Sequence, residues 1–151
     1  MSQFPVTGSF SIDNNFIVSV GSYIELKHTF TQEDVNQFSQ LMGDNNPIHI
    51  NPIYAEGTIF KGTIVHGIFV SSLFSTIFGR SIPGSIYVNQ NVNFKKPVHV
   101  GAEVTARIEV VNIENKKKGN LMTCSTKCFL SSDGSLVIDG DAKVLLMNKL
   151  I

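Results

Sequence analysis

Asp44 and His49 lie five residues apart in the segment GDNNPIHINP, residues 43–52. A carboxylate and an imidazole held together can share one water molecule: one takes its proton while the other orients it or returns a proton. The segment is stiff by composition, because Asp and Asn fold back on their own backbone and prolines block helix extension. On spacing alone, a turn-forming aspartate and a satisfied loop histidine explain the pair equally well. Further on, Gly67 offers a backbone N–H with no side chain in the way, suited to a carbonyl oxygen that gathers negative charge. A glycine placed for close packing would look the same.

Other chemistries find less support. Of the four histidines, His28 falls on an expected strand and His99 beside Pro97 on a short one, and both read as structural. No pair of His or Cys has the spacing of a zinc site, so no metal is expected. No G-x-S-x-G elbow, P-loop or dinucleotide glycine pattern is present, and no cofactor is implied. Cys124 and Cys128 share one face of a strand at about 13 Å, beyond the roughly 7 Å limit for a bridge. Both read as reduced core residues of an intracellular protein.

The elements that must position the pair follow from hydrophobic period. Gly62–Gly79, GTIVHGIFVSSLFSTIFG, reads as a central helix with Ile68, Phe69, Val70, Leu73, Phe74, Ile77 and Phe78 apolar on nearly every side, and such a helix must be enclosed. At about 16 residues it is shorter than the roughly 18 needed to span a bilayer. Before it, Thr31 and Asp34 form a capping-box pattern opening a helix over 32–42, with Gly43 as its stop and Val35, Phe38, Leu41 and Met42 as a core-facing stripe. Residues 16–30 suggest an opening strand, and Pro52–Gly57 a helical turn. Downstream, alternation predicts strands over 85–94, 104–113, 121–130 and 135–146, joined by turns at 115–120 and 132–135 into a meander. Gln90 is a polar residue on an apolar face, read as bonded to backbone at the sheet margin.

Length predicts one domain over residues 1–151, its first 15 residues a poorly structured segment. Net charge is zero and the isoelectric point about 6.9, so no basic field exists to hold nucleic acid or an anionic membrane. The N-terminal residues lack a charged start and a long apolar run, which argues against a secretory signal and leaves room for a processed mitochondrial leader. The expected location is intracellular, mitochondrial in a eukaryote and cytoplasmic otherwise.

The motif G43-D44-N45-N46-P47-I48-H49, followed by I64-V65-H66-G67 and by the run S85-I86-Y87 to F94-K95-K96-P97-V98 with V100-G101, resembles the MaoC-like, (R)-specific enoyl-CoA hydratase family. That family includes the mitochondrial 3-hydroxyacyl-thioester dehydratase type 2. The likeness spans residues 23–146. It implies an α+β hotdog fold, with an antiparallel sheet around a long central helix, and a homodimer. The implied reaction is reversible hydration of trans-2-enoyl thioesters of coenzyme A or acyl carrier protein. Asp44 and His49 then match the catalytic pair, Gly67 the thioester carbonyl donor, and Ser75 a helix serine that supports the pair. The run Pro83-Gly84-Ser85 is shorter than the family pattern, at a loop expected to border the acyl pocket.

Two rivals remain on sequence: a hotdog thioesterase and a non-catalytic acyl-thioester binding module. Many hotdog thioesterases and bacterial carrier-protein dehydratases resemble one another in placing an acid on the central helix, and residues 67–78 contain neither Asp nor Glu, which favours the Asp44/His49 arrangement. Lys61, Arg80, Lys95 and Lys96 are candidate contacts for a phosphate.

Overall fold

Residues 104, 106, 108 and 110 are apolar and alternate with polar or charged neighbours, the period of a strand with one wet face. The computed structural model, which describes residues 4–10 and 18–147, builds most of its sheet on that pattern. Its elements are β1 (Val6–Ser9), β2 (Tyr23–Thr29), α1 (Gln32–Met42), α2 (Pro47–Ile50), α3 (Pro52–Glu56), α4 (Gly67–Ser81), β3 (Ile86–Phe94), β4 (Glu103–Lys116), β5 (Gly119–Leu130) and β6 (Leu136–Met147). The six strands form one sheet in the order β1-β2-β4-β5-β6-β3, antiparallel at every pairing. The meander β4-β5-β6 is its centre. α4 lies against the sheet's apolar face, the hotdog arrangement that the resemblance implies.

Period explains which side chains are inside. Val104, Ala106, Ile108 and Val110 of β4 and Met122, Cys124 and Cys128 of β5 are buried against Val70, Leu73, Phe74, Ile77 and Phe78 of α4. Removing each such large side chain from water contributes about 1.5–3 kcal/mol. Both cysteines are free, and burial pushes each thiol up to about 12, so neither is a nucleophile at neutral pH.

Three expectations need correction. Val6–Ser9, inside the segment read as poorly structured, pair with β2 from Val6↔Leu26 to Ser9↔Tyr23. Four exposed residues leave no apolar period to betray a strand held by its ladder alone. In α1 the capping box and the left-handed Gly43 (φ 78°) are present as expected. The stripe is not: Val35 and Ser39 are buried, whereas Leu41 is 82% and Met42 63% exposed. Leu41 lies about 120° round the helix from Val35, and Met42 projects onto a cavity rim.

α4 is enclosed on one side only. Ile68, Ser72, Ser75 and Gly79 recur at helical spacing and form an exposed stripe. In β3 the register shifts between Tyr87 and Asn89, which turns Tyr87 inward onto Phe78 and leaves Ile86, Val88 and Phe94 exposed. The same shift puts Tyr87 beside Gln90: the phenol O–H donates to Gln90 Oε1. Gln90 Nε2 donates to the Asn91 carbonyl at 2.7 Å and to Thr126 Oγ1 at 2.8 Å, so the backbone-partner reading of Gln90 holds.

Candidate active site

Pro47 at the first position of a short helix and Asn46 as its cap fold the stretch after Asp44 into the turn α2, where the sequence suggested loop. His49 sits in its last turn, and the chain around it is fastened from two sides. Its Nδ1 lies 2.7 Å from the Ile64 carbonyl, an acceptor only, so Nδ1 carries the proton and Nε2 is left bare. Its own carbonyl accepts from Gln32 Nε2 of α1 at 2.9 Å, and Gln32 Oε1 accepts from Thr63 at 2.7 Å. Asp44 follows the left-handed Gly43 and keeps its carboxylate 54% exposed, accepting weakly from the Asn46 amide at 3.3 Å.

Gly67 is the first residue of α4. Its N–H is one of the leading amides that a helix cannot bond internally, at the positive end of the helix dipole. A Cβ there would meet the Phe94 ring at 2.7 Å, so both the amide and the packing reasons for glycine apply. Asp44, His49, His66 and Gly67 line one cavity of about 580 Å³, whose other walls are mostly apolar, among them Phe38, Phe60, Val98 and Ile138. That volume suits a small-molecule site. Lys95 and Lys96 stand on its wall; Lys61 lies in the turn beyond Phe60 with φ 56°, and Arg80 is at the far end of α4 over the Phe4 ring.

His66 lies in the I64-V65-H66-G67 motif, and its spacing alone assigns it no role. It is 3% exposed, with its ring stacked on that of His49 at 3.9 Å between centroids. Burial pulls its pKa below the ordinary imidazole value, opposed by its hydrogen bond to the Asp44 carbonyl and reinforced by His49. The signal that could have found it is a histidine adjoining the start of an apolar helix, where a ring nitrogen can reach only a few partners. Asp44, His49 and His66 each place one ligand-type atom within 4.8 Å of the others, so a cation would find donors here although no spacing suggested it. His66 Nε2 is already engaged by Ser39 Oγ at 3.1 Å and the Asp44 carbonyl at 3.3 Å.

Ser75 is not brought to this group. It is on the exposed stripe of α4, eight residues after Gly67, roughly 12 Å along the axis. His99 donates or accepts nothing toward the pair; its Nε2–H meets the Phe60 carbonyl at 2.7 Å and fixes the cavity rim. His28 packs between Phe4 and Phe30, as a structural residue would.

Residues 20–128 match the family described as MaoC like domain. The chain belongs to the MaoC-like family. It is 38% identical over 145 residues to a mitochondrial 3-hydroxyacyl-[acyl-carrier-protein] dehydratase of Solanum lycopersicum, covering 96% of this chain and 87% of that one. It is 40% identical over 131 residues to an (R)-specific enoyl-CoA hydratase of Aeromonas caviae, covering 85% and 96%. Among solved structures, the (R)-hydratase from A. caviae superposes with a TM-score of 0.79 over 85% of this chain and 96% of that one, at 40% identity. An unliganded R-hydratase from Pseudomonas aeruginosa gives 0.81 over 95% and 90%, at 28% identity. In this MaoC-like chain the family motif therefore folds into one cavity wall: the D-x-N-P-x-H element supplies Asp44 and His49, and V-H-G supplies the helix start. Among the described residues no helix is long and apolar enough to cross a membrane.

Proposed function

We propose that this protein is a hydro-lyase that reversibly adds water to a trans-2-enoyl thioester, giving the (R)-3-hydroxyacyl thioester. The observation that carries this is the convergence of Asp44, His49 and the Gly67 amide on one largely apolar cavity. Hydration needs a base for the water attacking C3, a donor for charge on the thioester oxygen, and a proton for C2. The bare His49 Nε2 and the Asp44 carboxylate hold and deprotonate the water and return a proton. The Gly67 N–H faces the thioester oxygen, a contribution of about 2.7–4 kcal/mol for one donor of this kind. Handedness comes from the family alone. Ser75 enters through the family pattern and touches none of these groups.

Both the coenzyme A and carrier-protein forms of the substrate are compatible with the names of the relatives. Placement in mitochondria is supported by the plant relatives, and fractionation of the source cells tests it. Loss of enoyl absorbance with purified protein and a short trans-2-enoyl-CoA tests the reaction, and the carrier-protein thioester run beside it tests the carrier. A thioesterase would instead release free thiol, and α4 has no acid to support that chemistry.

The working unit in this reading is a homodimer. Among the described residues β3 ends the sheet with nine residues of unpaired edge, carrying exposed Ile86, Val88 and Phe94. An edge that long and apolar invites another strand unless it is covered. The exposed stripe of α4, where Ser72, Ser75 and Gly79 follow Ile68, would let a second helix approach closely. Two copies related by a two-fold axis would cover both at once.

A further inference from the structure

We propose that His66 is a positioning residue for the hydration. Its ring backs one face of the His49 imidazole while its Nε2–H holds the Asp44 main-chain carbonyl, so one side chain sets both halves of the proton-transfer pair. The inference rests on the Asp44–His49 reading above and assigns the pair its support.

The tautomer follows from the partners. The Asp44 carbonyl, 3.3 Å from His66 Nε2, can only accept, so Nε2 carries the hydrogen. Ser39 Oγ, 3.1 Å from the same nitrogen, shares that hydrogen and ties the ring to α1. Nδ1 is then a bare lone pair, fully buried and without a hydrogen-bond partner among the described residues. Sealed from the cavity, it cannot take the proton that the reaction moves, and Nε2 already holds one. His66 is therefore next to the chemistry without being a base in it.

Two further rings pack against that of His66. Phe38 of α1 packs against it at 4.8 Å, tilted 56°, and His49 stacks at 3.9 Å and 28°. Phe38 is in turn stacked on Phe69 of α4 at 4.4 Å, so the series His49, His66, Phe38, Phe69 runs from the cavity wall into the core. The His49 imidazole has its edge fixed by Ile64 and its face fixed by His66. An apolar ring would supply the face and leave the Asp44 carbonyl without its donor. A flexible amide would supply the donor and leave His49 free to tip. Only an aromatic ring with an N–H does both.

The test separates the two tasks. His66→Phe keeps a flat ring and loses the donor; His66→Gln keeps an N–H near Nε2 and loses the ring; His66→Ala loses both. With a trans-2-enoyl-CoA, each single-task variant is expected to lose about tenfold or more in kcat with KM within roughly threefold, and His66→Ala more than either, since a misplacement of about 1 Å can cost about a hundredfold. Nitrogen-15 NMR of the ring nitrogens is the readout that a merely structural role would not move. The unaltered protein should show His49 protonated at Nδ1 and His66 at Nε2, and His66→Ala should shift or average the His49 signals. If a His66 variant fails to fold, Ser39→Ala keeps the histidine and removes one of its anchors, and should lower kcat severalfold at unchanged KM. Normal kcat in both His66→Phe and His66→Gln, in Ser39→Ala if those do not fold, or a proton found on His66 Nδ1, would overturn the positioning role. Absence of turnover in the unaltered protein would instead overturn the hydratase reading, and the ring-nitrogen spectra would still report whether His66 holds His49.

Discussion

A methyl group placed on Gly67 would sit 2.7 Å from the ring of Phe94, so the last residue of the edge strand closes over the first residue of the central helix. Phe94 is half exposed and its ring can turn. The contact therefore limits what may stand at the helix start without locking it.

From this contact Gly67→Ala should fold, at a stability cost of about 1–3 kcal/mol for an overpacked site. It should lose turnover of an enoyl-CoA by tenfold or more as Phe94 is pushed into the cavity. Gly67→Ala combined with Phe94→Leu should recover part of that loss. Steady-state kinetics on the two variants decides it: full activity in Gly67→Ala alone would show that the Phe94 ring yields to the added methyl without entering the space the substrate uses.

Asp44 and His49 are expected to act as one unit on one water. Asp44→Asn keeps shape and removes the base; His49→Gln keeps a polar group and removes the ring. Each should lower kcat by about a hundredfold or more. If both hold the same water, removing the second side chain adds little, and the double variant should resemble the worse single one. Logarithmic losses that add in full would show two independent roles.

How much of this was legible beforehand depended on period and on reach. The strands and α4 announce themselves because burial on one face forces a period of two or 3.6, and Thr31, Asp34 and Gly43 announce α1 because orphan amides and carbonyls need those residue types. Leu41 and Met42 misled because apolar residues at a helix end need not face the core: Met42 stands on the cavity rim and Leu41 in solvent. β1 carried no signal, since backbone pairing alone holds it. Asp44 and His49 could be paired from stiffness and spacing, whereas His66 joins them only because Val65 pairs with Val98 and the chain turns there into α4, a tertiary fact. The exposed stripe on α4 was hidden by the surrounding apolar residues, which made the helix look buried all round.

Stability should fall as the solution is made mildly acidic. Burial lowers the pKa of His66 from about 6.5, and burial does the same at His28, there opposed by Asp34. The unfolded chain therefore binds more protons than the folded one below about 6.5, and this stabilisation is complete above that pH and lost as pH falls toward the folded values. Thermal melts should show a lower Tm at pH 5.5 than at pH 7.5 (assay values of about one unit either side of an imidazole's range). His66→Phe should flatten part of that slope. A Tm independent of pH across the window would contradict it.

The last prediction concerns the edge of the sheet. Val88 is 55% exposed on β3, where the register shift has already turned Tyr87 inward. Because it touches solvent in a single copy, Val88→Lys should leave the fold of that copy intact, with surface substitutions of this sort costing within about 0.5 kcal/mol. Lysine on an edge strand is also what blocks pairing with another edge, through charge and its hydration. If a second copy lies along β3, the variant brings two lysines to the join, one from each copy, and their repulsion is expected to break it. Light scattering at micromolar concentration should then give twice the mass of 16.6 kDa for the unaltered chain and a value near the single mass for Val88→Lys. A drop in Tm that depends on protein concentration for the unaltered chain, and not for the variant, would be the thermodynamic counterpart. A single mass for the unaltered chain would mean that the apolar edge and the small-residue stripe of α4 face water in the working protein, and the dimer would be withdrawn.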